Sequence, residues 1–240
     1  MTCRDPRPPP PPPSPRRDDF TAAQEFFRPP LKRGRRRSII PCMSLLPPHD
    51  PDPDSEGPLQ GALLVSMPGM GDPRFAQTVI YMCAHGDEGA MGLIVNKPAR
   101  DLGFAELLEQ VGVTPGPEAE GFPVHFGGPV EMGRGFVLHS DDWEAPGATQ
   151  PLPGGLALTA TIDILRDIAV GKGPRKAVLA LGYAGWSPGQ LEAELQANSW
   201  LTCPPDDELI FAAEDPGKWR AALLKIGVDP ALLSAKGGAA

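Results

Sequence analysis

From Leu59 onward the apolar residues gather into short blocks, some with the spacing of strands and some with that of helices. Residues 61–67 (GALLVSM) form an apolar run that stops at Pro68-Gly69, which predicts a strand. Residues 78–84 are rich in β-branched and aromatic side chains and close on His85-Gly86-Asp87, predicting a second. Residues 90–96 predict a third, with 86–89 as the hairpin loop between them. Phe104, Leu107, Leu108 and Val111 then recur at helical spacing, and Gly112 stands where a helix stops.

Residues 123–126 and 135–140 predict two more strands around a Gly127-Gly128-Pro129 turn, and 156–158 a short extended piece. Ile162, Leu165, Ile168 and Ala169 mark an amphipathic helix ending before Gly171, and residues 177–181 a buried strand. Ser187 and Gln190 fit a capping box with Pro188 at the first helical position, ahead of an apolar stripe starting at Leu191 and Leu195. Residues 209–212 predict a late strand. Asp215-Pro216 opens a final helix through Trp219, Leu223 and Ile226 that Gly227 ends. The strands precede and interrupt the helices without regular alternation. That order predicts a mixed, largely antiparallel α+β domain and argues against a doubly wound sheet.

Composition adds a boundary. Sixteen of the 32 prolines lie in the first 58 residues, including the run from Pro8 to Pro13. Proline fixes φ and lacks a donor, and so few apolar side chains accompany it that burial would not offset the ordering entropy. Residues 1–58 are therefore expected to be a disordered Pro/Arg-rich arm, and residues 59–240 a single domain. Two readings of the arm stand: an accessory segment, or an over-extended frame ahead of a start at Met43. Charge divides nearby: residues 1–42 hold ten Lys/Arg and four Asp/Glu, whereas 43–240 hold twelve and 26, a net of −14. Neutralising phosphates dominates nucleic-acid affinity, so the acidic domain is a poor DNA partner. Only the arm, with its Lys32-Arg33-Gly34-Arg35-Arg36-Arg37 cluster, has the charge for it.

Cysteines stand at 3, 42, 83 and 203, too few in the domain for a disulfide framework and suited to a reducing cytoplasm. No apolar run approaches the roughly 20 residues of a membrane helix, and no secretory h-region opens the chain. A cytoplasmic protein without membrane contact is the expectation.

The candidate chemistry is thin. Gly185-Trp186-Ser187-Pro188-Gly189 is a literal G-x-S-x-G, but the residue that would donate an oxyanion N–H is Pro188, and all four histidines precede the serine. Ser187 reads better as a helix cap, worth about 1 kcal/mol. Cys83 and His85, with His125, His139 or Cys203, lack the spacing of a metal site, and Cys83 falls inside an apolar strand. The glycines at 127–128 and 133–135 precede no helix, which leaves them as turns and not phosphate cradles. Asp72, Asp87, Glu131, Asp141, Asp142 and Glu192 sit at element ends, with no pair singled out. No catalytic residue, metal or cofactor is assigned.

Several segments together resemble the bacterial AlgH/YqgE family: residues 61–75 (GALLVSMPGMGDPRF), 89–98 (GAMGLIVNKP), 126–130 (FGGPV), 135–139 (GFVLH), 182–192 (GYAGWSPGQLE) and 198–201 (NSWL). The resemblance runs from about Leu59 to the C-terminus. It implies an α/β fold whose sheet bends into a partial barrel, flanked by helices, and it carries over no catalytic residue. Members of that family bear the label of transcriptional regulators.

Loops at strand ends are where scaffolds carry function. On that ground the binding candidates are Asn96 and Lys97, Gly127 and Gly128, and Tyr183 and Trp186, opposed by the reading that these glycines and aromatics pack a tight corner. The expected function is non-enzymatic, regulatory or interaction-based, through a protein or small-molecule partner. Two rivals are a DNA-binding regulator using the arm, and an enzyme of unfamiliar type near residues 96–98, 127–129 and 183–186. A deep pocket lined by Lys97, His139 and a carboxylate would favour the enzyme.

Overall fold

The computed structural model describes residues 57–212 and 215–231. Residues 1–56 of the arm, with the basic cluster and Met43, lie outside the described residues. The strands are β1 (Leu63–Ser66), β2 (Val79–Gly86), β3 (Gly89–Ile94), β4 (Val124–Phe126) and β5 (Val130–Ser140). After them come β6 (Thr149–Leu152), β7 (Leu156–Thr159), β8 (Ala177–Trp186) and β9 (Trp200–Cys203). The α-helices are α1 (Phe104–Gln110), α2 (Ile162–Ala169), α3 (Gln190–Gln196), α4 (Asp207–Phe211) and α5 (Asp215–Lys225).

The strands lie in the order β6-β7-β5-β8-β3-β2-β1-β9, each neighbour antiparallel, and β4 joins β8 as a parallel pair. The sheet curls into a half-barrel with helices against it, the mixed α+β arrangement that the strand order and the resemblance both implied. Period-two alternation sorts the side chains. Leu63, Val65, Tyr81, Leu93, Phe136 and Leu138 meet Trp219 and Leu223 of α5 in one core cluster. Leu64, Ile80, Met82 and Ile94 face the other way, toward Leu191 of α3 and two tryptophans. Val137 and Leu179 pack under α1 and α2, through Phe104, Leu108, Ile164 and Leu165.

β8 ties the sheet together. Along residues 177–181 it pairs with β5, its residues 179–181 pair with β4, and its last three residues pair with β3. It therefore runs on through Tyr183 to Trp186, beyond the expected end at 181 and through a segment read as loop. Gly182 at φ +71° provides the bend that lets one strand serve both parts.

Two further local expectations are corrected, and two strands are added. Residues 209–212 are not a strand: Asp206 accepts a hydrogen bond from the Glu208 N–H at 2.9 Å and starts helix α4. Leu209 and Ile210 of this short helix are both buried, in the core cluster that holds Trp219 and Leu223. Ser187 is not the cap of α3, because Gly189 at φ +73° cannot join the helix and delays its start to Gln190. Half of the capping box survives, since Gln190 Oε1 accepts from the Ser187 N–H at 3.1 Å. Finally, β6 and β9 are edge strands that the sequence pattern did not mark.

Candidate functional site

One place in the sheet comes apart by design of its sequence. Beyond Val95, whose N–H still donates to Val79 O at 3.0 Å, the chain leaves β2 and crosses to β4: Pro98 bridges His125, the Phe126 N–H donates to Lys97 O at 2.8 Å, and the Ala99 N–H to Val124 O at 2.8 Å. This splay strips backbone groups of their ladder partners, and buried groups of that kind must be satisfied. Asn96 supplies two replacements. Its Oδ1 accepts from the Val79 N–H at 2.8 Å, and its Nδ2 donates to Gln77 O at 2.8 Å. A third comes from α5, whose Lys218 Nζ donates to Val95 O at 2.9 Å and to Ile210 O at 3.1 Å.

The splay opens a cleft of about 340 Å³ lined by Ala76, Gln77, Asn96, Lys97, Pro98 and Arg100 on its walls, with Asp215 and Trp219. That size is near the lower end of small-molecule sites, about 300–1,000 Å³. Gln77 holds φ +50°, an uncommon conformation for a residue with a side chain, and the Asn96 amide grips its carbonyl. Trp219 is fixed by its indole N–H, which donates to Ser66 O at 2.8 Å.

Beneath the cleft lies a buried charged cluster. Asp215 Oδ1 accepts from His125 Nε2 at 2.9 Å and from Lys218 Nζ at 3.0 Å. Burial would push the Asp215 carboxyl up, but hydrogen bonds and charge from His125 and Lys218 hold it below its ordinary range. Burial draws the Lys218 ammonium down, against the pull of Asp215. On the wall, half-buried Lys97 donates to Arg74 O at 2.6 Å, and desolvation lowers its pKa. Arg74 in turn grips Asp72 through two guanidinium nitrogens, fixing the loop before β2.

Of the six binding candidates, Asn96 and Lys97 line the cleft and the other four do not. Gly127 joins three strands: its N–H donates to Leu181 O at 2.7 Å and its carbonyl accepts from the Ile94 N–H at 2.9 Å. At Gly128 an added Cβ would fall 2.0 Å from the Tyr183 carbonyl carbon, so backbone presses on backbone. Tyr183 packs edge-on against Phe136, with ring centroids 5.8 Å apart. The Trp186 and Trp200 indoles both donate to Glu194 Oε2, at 3.0 and 2.8 Å. These four build a packed corner.

The pocket foreseen for an enzyme is met in part. Lys97 and Asp215 share the cleft, but His139 is buried elsewhere, donating from Nδ1 to Ser140 O and accepting at Nε2 from Thr159 Oγ1. Burial lowers its pKa. Cys83 is buried too, its thiol pushed up to about 12 by desolvation. His85 pairs with Glu192 at 2.8 Å. Among the described residues no three His, Cys, Asp or Glu side chains are grouped to hold a metal, and no helix is long and apolar enough to cross a membrane. Sequence reasoning missed Gln77, Arg100, Asp215 and Trp219. Asp215 was visible only as a helix start, and nothing local ties it to β3.

A family model described as AlgH-like matches residues 63–231. A UPF0301 protein of Cereibacter sphaeroides is 52% identical over 180 residues, covering 75% of this chain and 98% of that protein. The solution structure of the AlgH protein from Pseudomonas aeruginosa is 43% identical with a TM-score of 0.63, covering 77% of this chain and 98% of that one. A Corynebacterium diphtheriae protein, 18% identical, shares the fold with a TM-score of 0.57 over 70% of this chain and 87% of its own.

Proposed function

The chain belongs to the AlgH-like family, and from that premise we propose that it is a non-enzymatic regulatory protein of the bacterial cytoplasm whose interaction site is the cleft beside Asn96 and Lys97. The observation that carries this reading is the splay itself. A strand pair is opened, and its stripped backbone groups are satisfied by Asn96 and Lys218, leaving a preorganised polar hollow. The reading is non-enzymatic because Lys97 and Asp215 of the hollow are already engaged, Lys97 by Arg74 O and Asp215 by His125 and Lys218. Buried cysteines at 83 and 203 suit a reducing compartment.

The test is retention. Full-length protein is incubated with a bacterial small-metabolite extract, desalted and examined by native mass spectrometry. One compound should be held at one equivalent and released unchanged on denaturation. Ala76→Phe, which fills the mouth of the cleft from an exposed position, should abolish retention. A cleft-blocked chain that retains the compound as well as the wild type would sink the reading.

A second reading has a specific observation behind it. His125 is buried against Asp215 with its Nδ1 unpartnered, the kind of carboxylate–imidazole pair that acid–base enzymes use. Release of the compound in altered form would favour that enzyme. DNA binding through the arm is the remaining rival; gel shifts that persist after Arg35, Arg36 and Arg37 are changed to Gln would remove the arm from it.

A further inference from the structure

We infer that the cleft selects a small anion, a compound whose carboxylate or phosphate group is held between Lys97 and Arg100; this rests on the cleft being the interaction site proposed above. The domain is acidic, with 22 Asp/Glu against twelve Lys/Arg over residues 59–240, so its cations have abundant partners. Arg74, Arg134, Arg175 and Lys225, among others, each sit within 4.0 Å of a carboxylate. Among the described residues no carboxylate lies that near Lys97 or Arg100, although both line the same hollow. Among the described residues Lys172 and Arg220 also lack a carboxylate within that distance, but neither lines this cleft.

The carboxylate in the cleft does not cancel them. Asp215 is already engaged, by the Lys218 ammonium that offsets its charge and by a hydrogen bond from His125. What remains toward solvent is the positive charge of a half-buried ammonium and an exposed guanidinium. Two cations on one hollow, with the one lining carboxylate engaged elsewhere, draw counter-ions toward it. Burial has cost the Lys97 ammonium part of its water, and the charge of nearby Asp72 offsets that only in part, so an incoming anion recovers some of the lost solvation. Arg100 adds a planar fork suited to carboxylate or phosphate oxygens. Pro98 and Trp219 give the same hollow apolar surface for the rest of a small organic acid.

The experiment is a titration of the full-length, ¹⁵N-labelled protein followed by amide and indole shifts at constant ionic strength. The probes are sodium phosphate, sodium citrate, choline chloride and myo-inositol. Phosphate or citrate should move the Lys97, Ala99 and Arg100 amides and the Trp219 indole saturably, and the tighter of the two tells phosphate from carboxylate chemistry. Lys97→Met and Arg100→Met should each weaken that binding about tenfold, the loss of one charge-assisted hydrogen bond. Arg166→Met, distant on α2, should leave it unchanged. Equal binding by the Arg100→Met and wild-type proteins, or shifts scattered over the surface as for an adventitious ion only, overturns the inference. Saturation of the cleft by choline or inositol but not by anions overturns it too, while leaving the interaction site standing. Anion binding undiminished in Ala76→Phe would instead remove the interaction site itself.

Discussion

The splay at Asn96 and the crossing at Gly128 are close along the sheet and opposite in construction. At the splay two strands part, and side chains replace the lost backbone partners. At the crossing two backbones come so near that no side chain fits between them: a Cβ on Gly127 would meet the Gly182 carbonyl oxygen at 2.3 Å, and one on Gly182 would meet the Gly128 carbonyl oxygen at 2.5 Å. The first solution leaves space and charge, and the second leaves neither. Conformational freedom and polarity mark both in sequence, so what separates a site from a corner is which way the backbone groups are satisfied.

The contrast can be broken by substitution. Gly128→Ala should have the largest effect, about 4 kcal/mol or more of stability in urea denaturation, because backbone must move to admit the methyl group. A loss below about 1 kcal/mol would mean that the crossing is looser than described. Next comes Asp215→Asn, which leaves Lys218 buried without its carboxylate and should cost about 3–5 kcal/mol in the same assay. Asn96→Ala should cost less, about 1–3 kcal/mol, since it unpairs the Val79 N–H and the Gln77 carbonyl but strands no charge.

Acid sharpens the comparison without mutation. The folded pKa of Asp215 is depressed, so its contribution is fully present above the ordinary 3.8 and is lost as pH falls toward the folded value. Wild-type stability should therefore decline below about pH 4 more steeply than that of Asp215→Asn, whereas Gly182→Ala should keep the wild-type slope. Identical slopes for the first two would detach Asp215 from the acid limb. The smallest effect belongs to Ser187→Ala. With the cap position taken by Gly189, it should fall within about 0.5 kcal/mol, and a full loss of about 1 kcal/mol would restore the serine as a cap.

Elements whose periodicity and punctuation agree were legible in sequence. The helix through Phe104 and Leu108 stops at Val111 before Gly112 at φ +74°, and the one through Ile164 and Leu165 stops before Gly171 at φ +71°. Edge strands were not. β6 contains Pro151 and pairs with β7 alone, so little burial marks it. The run at 209–211 is too short for its period to tell strand from helix, and Asp206 decides the matter locally. Two of the eight residues lining the cleft were legible as Asn96-Lys97. The rest was not, because Lys218 reaches Val95 across 123 positions of chain and no local pattern carries that contact.

β8 has a consequence for how the protein opens. Its residues 179–181 are paired on both edges, and the same strand then hands its last residues to β3. Neither flank of the sheet can detach while this strand keeps its partners, and neither can stay closed once it lets go. Protection of the Leu179 and Leu181 amides from solvent hydrogen therefore measures the global opening of the molecule. The amides around Lys97, at the parted edge, trade their hydrogens on a clock of their own.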